Sequence, residues 1–338
     1  MAGGRAGGPG RFEAGSDAMN TARTKPVVIV TGADLAPQAV ELLQEFDIVY
    51  AGKTPDEDGL TRLCHELQPV ALIVRYGRIP ARVMDASRKL RVIAKHGVGI
   101  DTIDVDAAAK RGITVKAATG ANAAAVAEHT WMLILACAKG LVELNARMHA
   151  GYWDKATHKS LELNNRTLGL IGIGAIGSRV AAVAAGFGMR ILAYDPYASR
   201  VLPGVTLCDL KAVLAGSDVV SLHCPLTPES RQMINRENLA LMKKGAILVN
   251  TARGGLIDQQ VLLEAVQSRK LSAVGLDAFE GEPLAAGHIF SGVPNVILTP
   301  HVGGVTSDAY VNMGTAAARN VLAVLSESKT ATAETEGV

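Results

Sequence analysis

At 338 residues the chain is long enough for two hydrophobic cores, since single cores stop growing near about 250 to 300 residues, and two domains imply a cleft between them. Lys plus Arg (34) nearly balances Asp plus Glu (32), so the net charge of +2 gives no footing for a polyanion and no nucleic-acid partner is expected. The four cysteines, Cys64, Cys137, Cys208 and Cys224, form no CxxC pair, which points to reduced thiols in a cytoplasmic protein, without a disulfide frame or a metal site.

The first 25 residues are rich in Gly and Arg and hold no apolar run, so they read as a disordered tail and not as a signal peptide; Met19 within them could serve as the translational start. From Pro26 onward, short β-branched runs ("PVVIVTG", "DIVYAG", "VALIVRYG", "LRVIAKHGVG") alternate with segments of helical spacing ("APQAVELLQEF", "DGLTRLCHEL", "ARVMDAS"). Such alternation implies a parallel sheet covered by helices, and the first domain is expected over 26–119. "ANAAAVAEHTWMLILACAKG" carries Glu128 and His129 and only about ten uninterrupted apolar residues, too few to span a bilayer. It reads as a buried helix with Asn122 at its N-cap, and no membrane partner is expected.

A second series follows, with strands at "TLGLIGIG", "RILAYD", "VVSLHCP", "AILVNTA", "AVGLDAF" and "VILTPHV". Six such runs are what a doubly wound dinucleotide-binding sheet over 120–301 requires. The amphipathic "DAYVNMGTAAARNVLAVLSE" is expected to return to the first domain, making that domain discontinuous (26–119 and 302–330) and leaving "KTATAETEGV" as a loose end. The fold class is therefore α/β, with two doubly wound parallel-sheet domains, one inserted in the other.

In "GLIGIGAIG", Gly172, Gly174 and Gly177 form GxGxxG between a strand and a helix, and Asp195 ends the next strand 18 residues after Gly177. Gly172 suits the tight turn, Gly174 the approach of a pyrophosphate, and the following helix N-terminus offers free N–H groups to that anion. Asp195 would accept ribose hydroxyls and repel a 2′-phosphate, so NAD is preferred to NADP. Ligands of such sheets bind outside the carboxyl ends of the strands, and there Arg253 follows "AILVN", Asp277 ends "AVGLD", Glu282 comes five residues later and His301 follows "NVILTP". A planar guanidinium can grip a carboxylate and a neighbouring carbonyl in one fork, and a histidine can supply the proton that a reduced carbonyl oxygen needs.

"KHGVGIDTIDV", "ANAAAVAEHT", "GLIGIGAIG", "HCPLTPES", "VNTARGGLID", "LDAFEGEPL" and "NVILTPHVGG", in this order over about residues 26 to 325, resemble the D-isomer-specific 2-hydroxyacid dehydrogenases. The resemblance implies a Rossmann NAD domain inserted in a flavodoxin-like substrate domain. It implies that Arg253 binds the substrate carboxylate and carbonyl, that His301 is the acid/base and that Glu282 pairs with it. It further implies that Asp277 and the Ala252 carbonyl hold the nicotinamide amide, that the Ala175 and Ile176 amides hold pyrophosphate, and that Cys224 and Thr227 border the adenosine. The Val98 and Gly99 amides are expected on the substrate carboxylate. Arg75, with Tyr76, Arg78, Lys95 and His96, would face the variable end of the substrate, where several cations suit a second anionic group. Phosphoglycerate dehydrogenases of the family carry an added regulatory domain, for which this sequence leaves no room after its last helix, so the short form is expected. A homodimer through the NAD domains, with the helix after Asn122 at the contact, is also implied. Two rival readings are an NADH-sensing corepressor of the same fold and a phosphite- or formate-type dehydrogenase; formate-type relatives place glutamine where this chain has Glu282.

Overall fold

The structure is a computed structural model that describes residues 25–198 and 202–335. The expected N-terminal tail lies outside the described residues except for Lys25, whose Nζ donates to the Gln44 carbonyl at 2.7 Å.

The first sheet is built from β1 (Val27–Val30), β2 (Asp47–Tyr50), β3 (Ala71–Val74), β4 (Val92–Lys95) and β5 (Thr114–Ala117), all parallel in the order β2-β1-β3-β4-β5. Helices α1 (Pro37–Leu42), α2 (Glu57–Leu67), α3 (Ala81–Asp85) and α4 (Val105–Lys110) make the crossovers. β1 and β3 are buried at every residue, as strands covered on both faces must be, and each face has its own core. β5 has no run of apolar residues to announce it; its "TVKA" is half-buried with Lys116 exposed, the pattern of an edge strand.

The chain then crosses through α5 (Ala123–Lys139) and α6 (Leu141–His149) to the second sheet. Asn122 occupies the N-cap position of α5, but its side chain makes no capping bond; it packs against Gly304 and leaves Oδ1 buried without a protein partner. Tertiary packing thus overrides the local capping preference expected there. The second sheet holds β6 (Thr167–Ile171), β7 (Arg190–Tyr194), β8 (Val205–Leu207), β9 (Val219–Leu222), β10 (Ala246–Asn250), β11 (Leu271–Leu276) and β12 (Val296–Leu298). Its order is β12-β11-β10-β9-β6-β7-β8, all parallel, so the six expected strands are joined by a short seventh, β8, at one edge. Helices α7 (Ala175–Gly186), α8 (Leu210–Gly216), α9 (Arg236–Leu241) and α10 (Gln259–Gln267) complete the winding, and α5 closes one face by stacking Trp131 on Phe187 of the loop after α7 at 4.9 Å.

The last helix, α11 (Ser307–Thr335), lies on the first sheet, where Ala317, Ala318 and Val321 are fully buried against residues of β1, β3 and β4. Its backbone continues to Thr335, so the segment expected to be loose is helical through that residue. Among the described residues no single helix is long and apolar enough to cross a membrane, and no cluster of side chains suits a metal ion.

Candidate active site

The dinucleotide fingerprint lies where β6 hands over to α7. Gly172 has φ +94°, and a side chain on it would stand 2.7 Å from the His223 backbone, so the turn requires glycine. Gly177, in the first turn of α7, packs on the Gly172 carbonyl so closely that any side chain would collide. Gly174 caps α7 with open space before it, and the Ala175 and Ile176 amides start the helix without intrahelical acceptors. Asp195, just beyond β7, closes the side of this turn: its Oδ2 accepts from the Ile173 amide and its Oδ1 from the Tyr197 amide, both at 2.9 Å.

On the far side, Cys224 and Thr227 follow β9. The Cys224 thiol is pushed up to about 11 by burial and meets Met233 Sδ at 3.7 Å, while the Thr227 amide donates to Ser230 Oγ at 2.8 Å. His223 supports the turn from below as a neutral ring, pushed down to about 3 by burial, with Nε2 2.9 Å from Ser221 Oγ. Open amides at a helix N-terminus beside a strand-end carboxylate suit a pyrophosphate and a ribose, so the residues present fit a dinucleotide.

The second group of side chains meets at the carboxyl ends of both sheets. Arg253, directly after β10, donates through Nη1 to the Ala252 carbonyl at 2.7 Å and through Nε to Asp101 Oδ2 of the other domain at 2.8 Å. Asp101, 152 residues away in sequence, received no role from sequence reasoning; its signal is a carboxylate directly after the "GVGI" turn. The guanidinium is thereby fixed with Nη2 against Gly99, where any side chain would collide with it. The Val98 and Gly99 amides donate to no protein acceptor among the described residues. Two free amides and one edge of a fixed guanidinium therefore converge, as a carboxylate requires.

Opposite them, His301 Nδ1 lies 2.6 Å from Glu282 Oε2, and Glu282 Oε1 accepts from the Phe279 amide at 2.9 Å. The hydrogen bond to Glu282 raises the His301 pKa above its ordinary value; burial and Arg253 oppose it. Glu282 is lowered: burial works against this, but the bonds from His301 and the Phe279 amide outweigh it. With Nδ1 engaged, Nε2 is the nitrogen left to exchange a proton. His301 holds φ +55°, a region that costs a side-chain-bearing residue about 1 to 3 kcal/mol and persists only where surroundings enforce it.

Asp277 does the enforcing. It is 1% exposed, and its carboxylate accepts from the Val302 amide at 2.9 Å, the Gly303 amide at 2.8 Å and Thr299 Oγ1 at 2.6 Å. His129 of α5 joins this network, 2.9 Å from Thr299 Oγ1. Asp277 and the Ala252 carbonyl, which the family resemblance implies for the nicotinamide amide, thus also have protein partners: Asp277 anchors the turn that displays His301, and the Ala252 carbonyl accepts from Arg253.

Arg75 differs from expectation. Its Nη1 pairs with Asp34 Oδ1 and donates to the Asp34 carbonyl at 2.7 Å, and its guanidinium lies over Tyr310 at 5.0 Å. The carboxylate of Asp34 already answers its charge, so the residue is not presented as a free cation to the cleft.

A doubly wound dinucleotide sheet facing a second α/β domain across an arginine and a carboxylate–histidine couple defines a two-domain, nucleotide-binding α/β protein. Residues 131–303 match the D-isomer specific 2-hydroxyacid dehydrogenase, NAD binding domain. The chain is 40% identical over 276 residues to a hydroxypyruvate reductase of Thermotoga maritima, covering 81% of this chain and 90% of that one. It is 40% identical over 307 residues to a D-3-phosphoglycerate dehydrogenase of Methanocaldococcus jannaschii, covering 88% of this chain but 57% of the relative, so it spans little more than half that protein's length. A crystal structure of a Thermus thermophilus protein superposes with a TM-score of 0.82 at 38% identity, covering 89% of this chain and 97% of that one. The chain belongs to the D-isomer specific 2-hydroxyacid dehydrogenase family, and its second sheet is that family's NAD-binding domain.

Proposed function

We propose that the protein is an NAD-dependent dehydrogenase that interconverts a 2-oxo acid and the corresponding D-2-hydroxy acid. The observation that carries this reading is the convergence, in one cleft, of the Arg253 guanidinium, the free Val98 and Gly99 amides and the Glu282–His301 couple. NAD(H), held by Gly174, Ala175, Ile176 and Asp195, supplies the redox chemistry when bound. Arg253 and the two amides orient the carboxylate and place positive charge beside the carbonyl; His301 gives its proton to the oxygen on reduction and takes it back on oxidation. Hydroxypyruvate is the first substrate to try, because a relative covered over 90% of its length is named a hydroxypyruvate reductase. A substrate with a second anionic group is less well supported, because Arg75 is neutralised by Asp34. Neither the corepressor nor the phosphite- or formate-type reading gains support from this geometry.

Initial rates with glyoxylate, hydroxypyruvate, phosphohydroxypyruvate and larger 2-oxo acids, using NADH and NADPH, test the proposal. Turnover with at least one 2-oxo acid is expected, with NADH favoured by about tenfold or more because Asp195 repels a 2′-phosphate. Asp195→Ser should narrow that gap. Equal efficiency with both cofactors in the parent would refute the role of Asp195.

The proposal includes a cytoplasmic homodimer. The compartment is supported by four unpaired thiols, and the dimer by an exposed apolar face that α5, α6 and the loop after it share. Met132, Leu141, Val142, Met148 and Tyr152 are each about half exposed, and Trp153 is 76% exposed. Large apolar side chains left this exposed on successive elements favour a protein contact. Light scattering should give twice the chain mass, and Leu141→Asp with Trp153→Glu should give monomer; a parent that is monomeric at micromolar concentration would refute the dimer.

A further inference from the structure

His129, in the second turn of α5, carries an imidazole to the carboxyl ends of β11 and β12. The helix does not need it for docking. Leu133 and Ile134 are fully buried in the core beneath α5, the Trp131 indole donates to the Val180 carbonyl at 3.1 Å, and Thr130 Oγ1 lies 2.8 Å from Thr251 Oγ1. The His129 side chain is nevertheless only 12% exposed, and its Nε2 meets Thr299 Oγ1 at 2.9 Å and Asp277 Oδ1 at 3.3 Å. Withdrawing a polar ring from water is offset only where its nitrogen is bonded. The proton positions follow from valence. The Asp277 carboxylate already accepts from the Val302 and Gly303 amides and has no hydrogen to give, so the Thr299 hydroxyl donates to it at 2.6 Å. Thr299 then has no hydrogen left, and its oxygen accepts from a His129 Nε2–H. One directed chain runs from His129 through Thr299 to Asp277 and ends on the turn that displays His301. The ring also packs on that turn directly: a side chain on Gly303 would stand 2.8 Å from Asp277 Oδ2 and 3.4 Å from His129 Cδ2.

Building on the dehydrogenase reading, we infer that His129 is a positioning residue for proton transfer: through Thr299 and Asp277 it fixes the turn after β12, so that His301 stays in register with Glu282 and with the substrate oxygen. Without the His129 donor, the Thr299 hydroxyl is free to turn toward the Leu276 carbonyl, 3.5 Å away, and Asp277 loses one of the bonds that orient it. The left-handed backbone of His301 persists only under constraint, so it relaxes and the ring slips from Glu282. The charged groups that act on His301 are Glu282, Arg253 and Asp277, and the hydrogen bond from Glu282 is the strongest of the effects that raise it. Losing that bond carries the His301 pKa down, because burial and Arg253 then act with less opposition.

Three substitutions test this. His129→Phe keeps an aromatic ring against Gly303 and removes the donor, His129→Asn is too short to reach Thr299, and His129→Gln sets an amide N–H close to where Nε2 stood. In steady-state reduction of hydroxypyruvate with saturating NADH, His129→Phe and His129→Asn should lower kcat by about 10- to 10²-fold, with KM within about threefold of the parent because Arg253 and the Val98 and Gly99 amides are untouched. Their rates should also begin to fall at lower pH. His129→Gln should stay within about threefold in kcat and keep the parent's pH limb. NMR of isotope-labelled histidines reads the same coupling without turnover. The parent should carry a proton on His129 Nε2 and titrate His301 above its ordinary range, and the His301 titration should move down in His129→Phe and His129→Asn. Melting temperatures close to the parent's would show that the variants fold; if His129→Phe does not, His129→Asn against His129→Gln decides. An unmoved His301 titration in folded His129→Asn, a His129→Gln as impaired as His129→Asn, or a parent His129 protonated on Nδ1 alone would overturn the inference and leave the dehydrogenase reading in place. A parent that reduces no 2-oxo acid would overturn that reading instead, and the NMR titration would still decide whether His129 governs His301.

Discussion

Arg253→Ala should lower kcat/KM for any accepted 2-oxo acid by about 10³-fold or more, while NADH binds within a fewfold of the parent. The guanidinium touches two protein acceptors, the Ala252 carbonyl and Asp101, and places Nη2 against Gly99, on the side where the proposed substrate carboxylate would bind. Its hydrogen bonds strengthen as charge grows on the substrate oxygen, so the loss falls on the transition state more than on substrate binding. Arg253→Lys restores charge without the fork and should recover only part of the activity. Asp101→Asn keeps shape and weakens the grip on Nε; it should cost about tenfold and leave the pH profile in place. Fluorescence titration with NADH beside the kinetics decides the matter. A loss of cofactor affinity in step with activity would move Arg253 from the substrate side to the cofactor side.

What could be read from the sequence follows what local pattern encodes. Alternating apolar runs and helical spacings report burial along the chain, so the two α/β units, the GxGxxG turn with Asp195, and the strand-end positions of Arg253 and His301 were all visible. β8 and β5 were not, because edge strands need no apolar run: β8 has three residues, with only Val205 buried, and β5 exposes Lys116. Charge pairing was the larger omission. Asp34 is 41 residues from Arg75, and Tyr310, which also holds it, is 276 residues from Asp34; Asp101 is 152 residues from Arg253. No local pattern announces such pairs, since they exist only once loops from both sheets meet at the cleft. They nevertheless decide which cations reach the cleft already paired, as Arg75 and Arg253 do. The left-handed backbone of His301 is another tertiary product, imposed by the grip of Asp277 on the next two amides.

Replacing Glu282 by Gln should move both pH limbs of the reaction toward acid. In the parent, the bond to Glu282 raises His301 above its ordinary value of about 6.5, so the ring stays protonated further into the neutral range. Ketone reduction needs the protonated ring; its rate is full below the His301 pKa and falls as pH rises through it. Hydroxy acid oxidation needs the neutral ring and has the opposite dependence. Glutamine keeps the size and can still accept from Nδ1, but it removes the negative charge, so the His301 pKa drops. Reduction should then begin to fail at lower pH, and oxidation should persist to lower pH. Both limbs must shift in the same direction, because one group governs both. The same couple bears on folding. His301 is raised, so its contribution is fully present below the unfolded histidine pKa and is lost as pH rises through the folded one. Glu282 is lowered, so its contribution is present above the unfolded glutamate pKa and is lost as pH falls through the folded one. The pair therefore supports the fold most in mildly acidic solution. His301→Ala, which removes the proton carrier altogether, should cost about 10² to 10⁴ in kcat and abolish the limb in both directions. Profiles of kcat/KM for reduction and oxidation, with cofactor saturating, measure all of this. A lower plateau in Glu282→Gln with unmoved limbs would show that Glu282 only orients the ring, leaving His301 to set its proton affinity by other contacts.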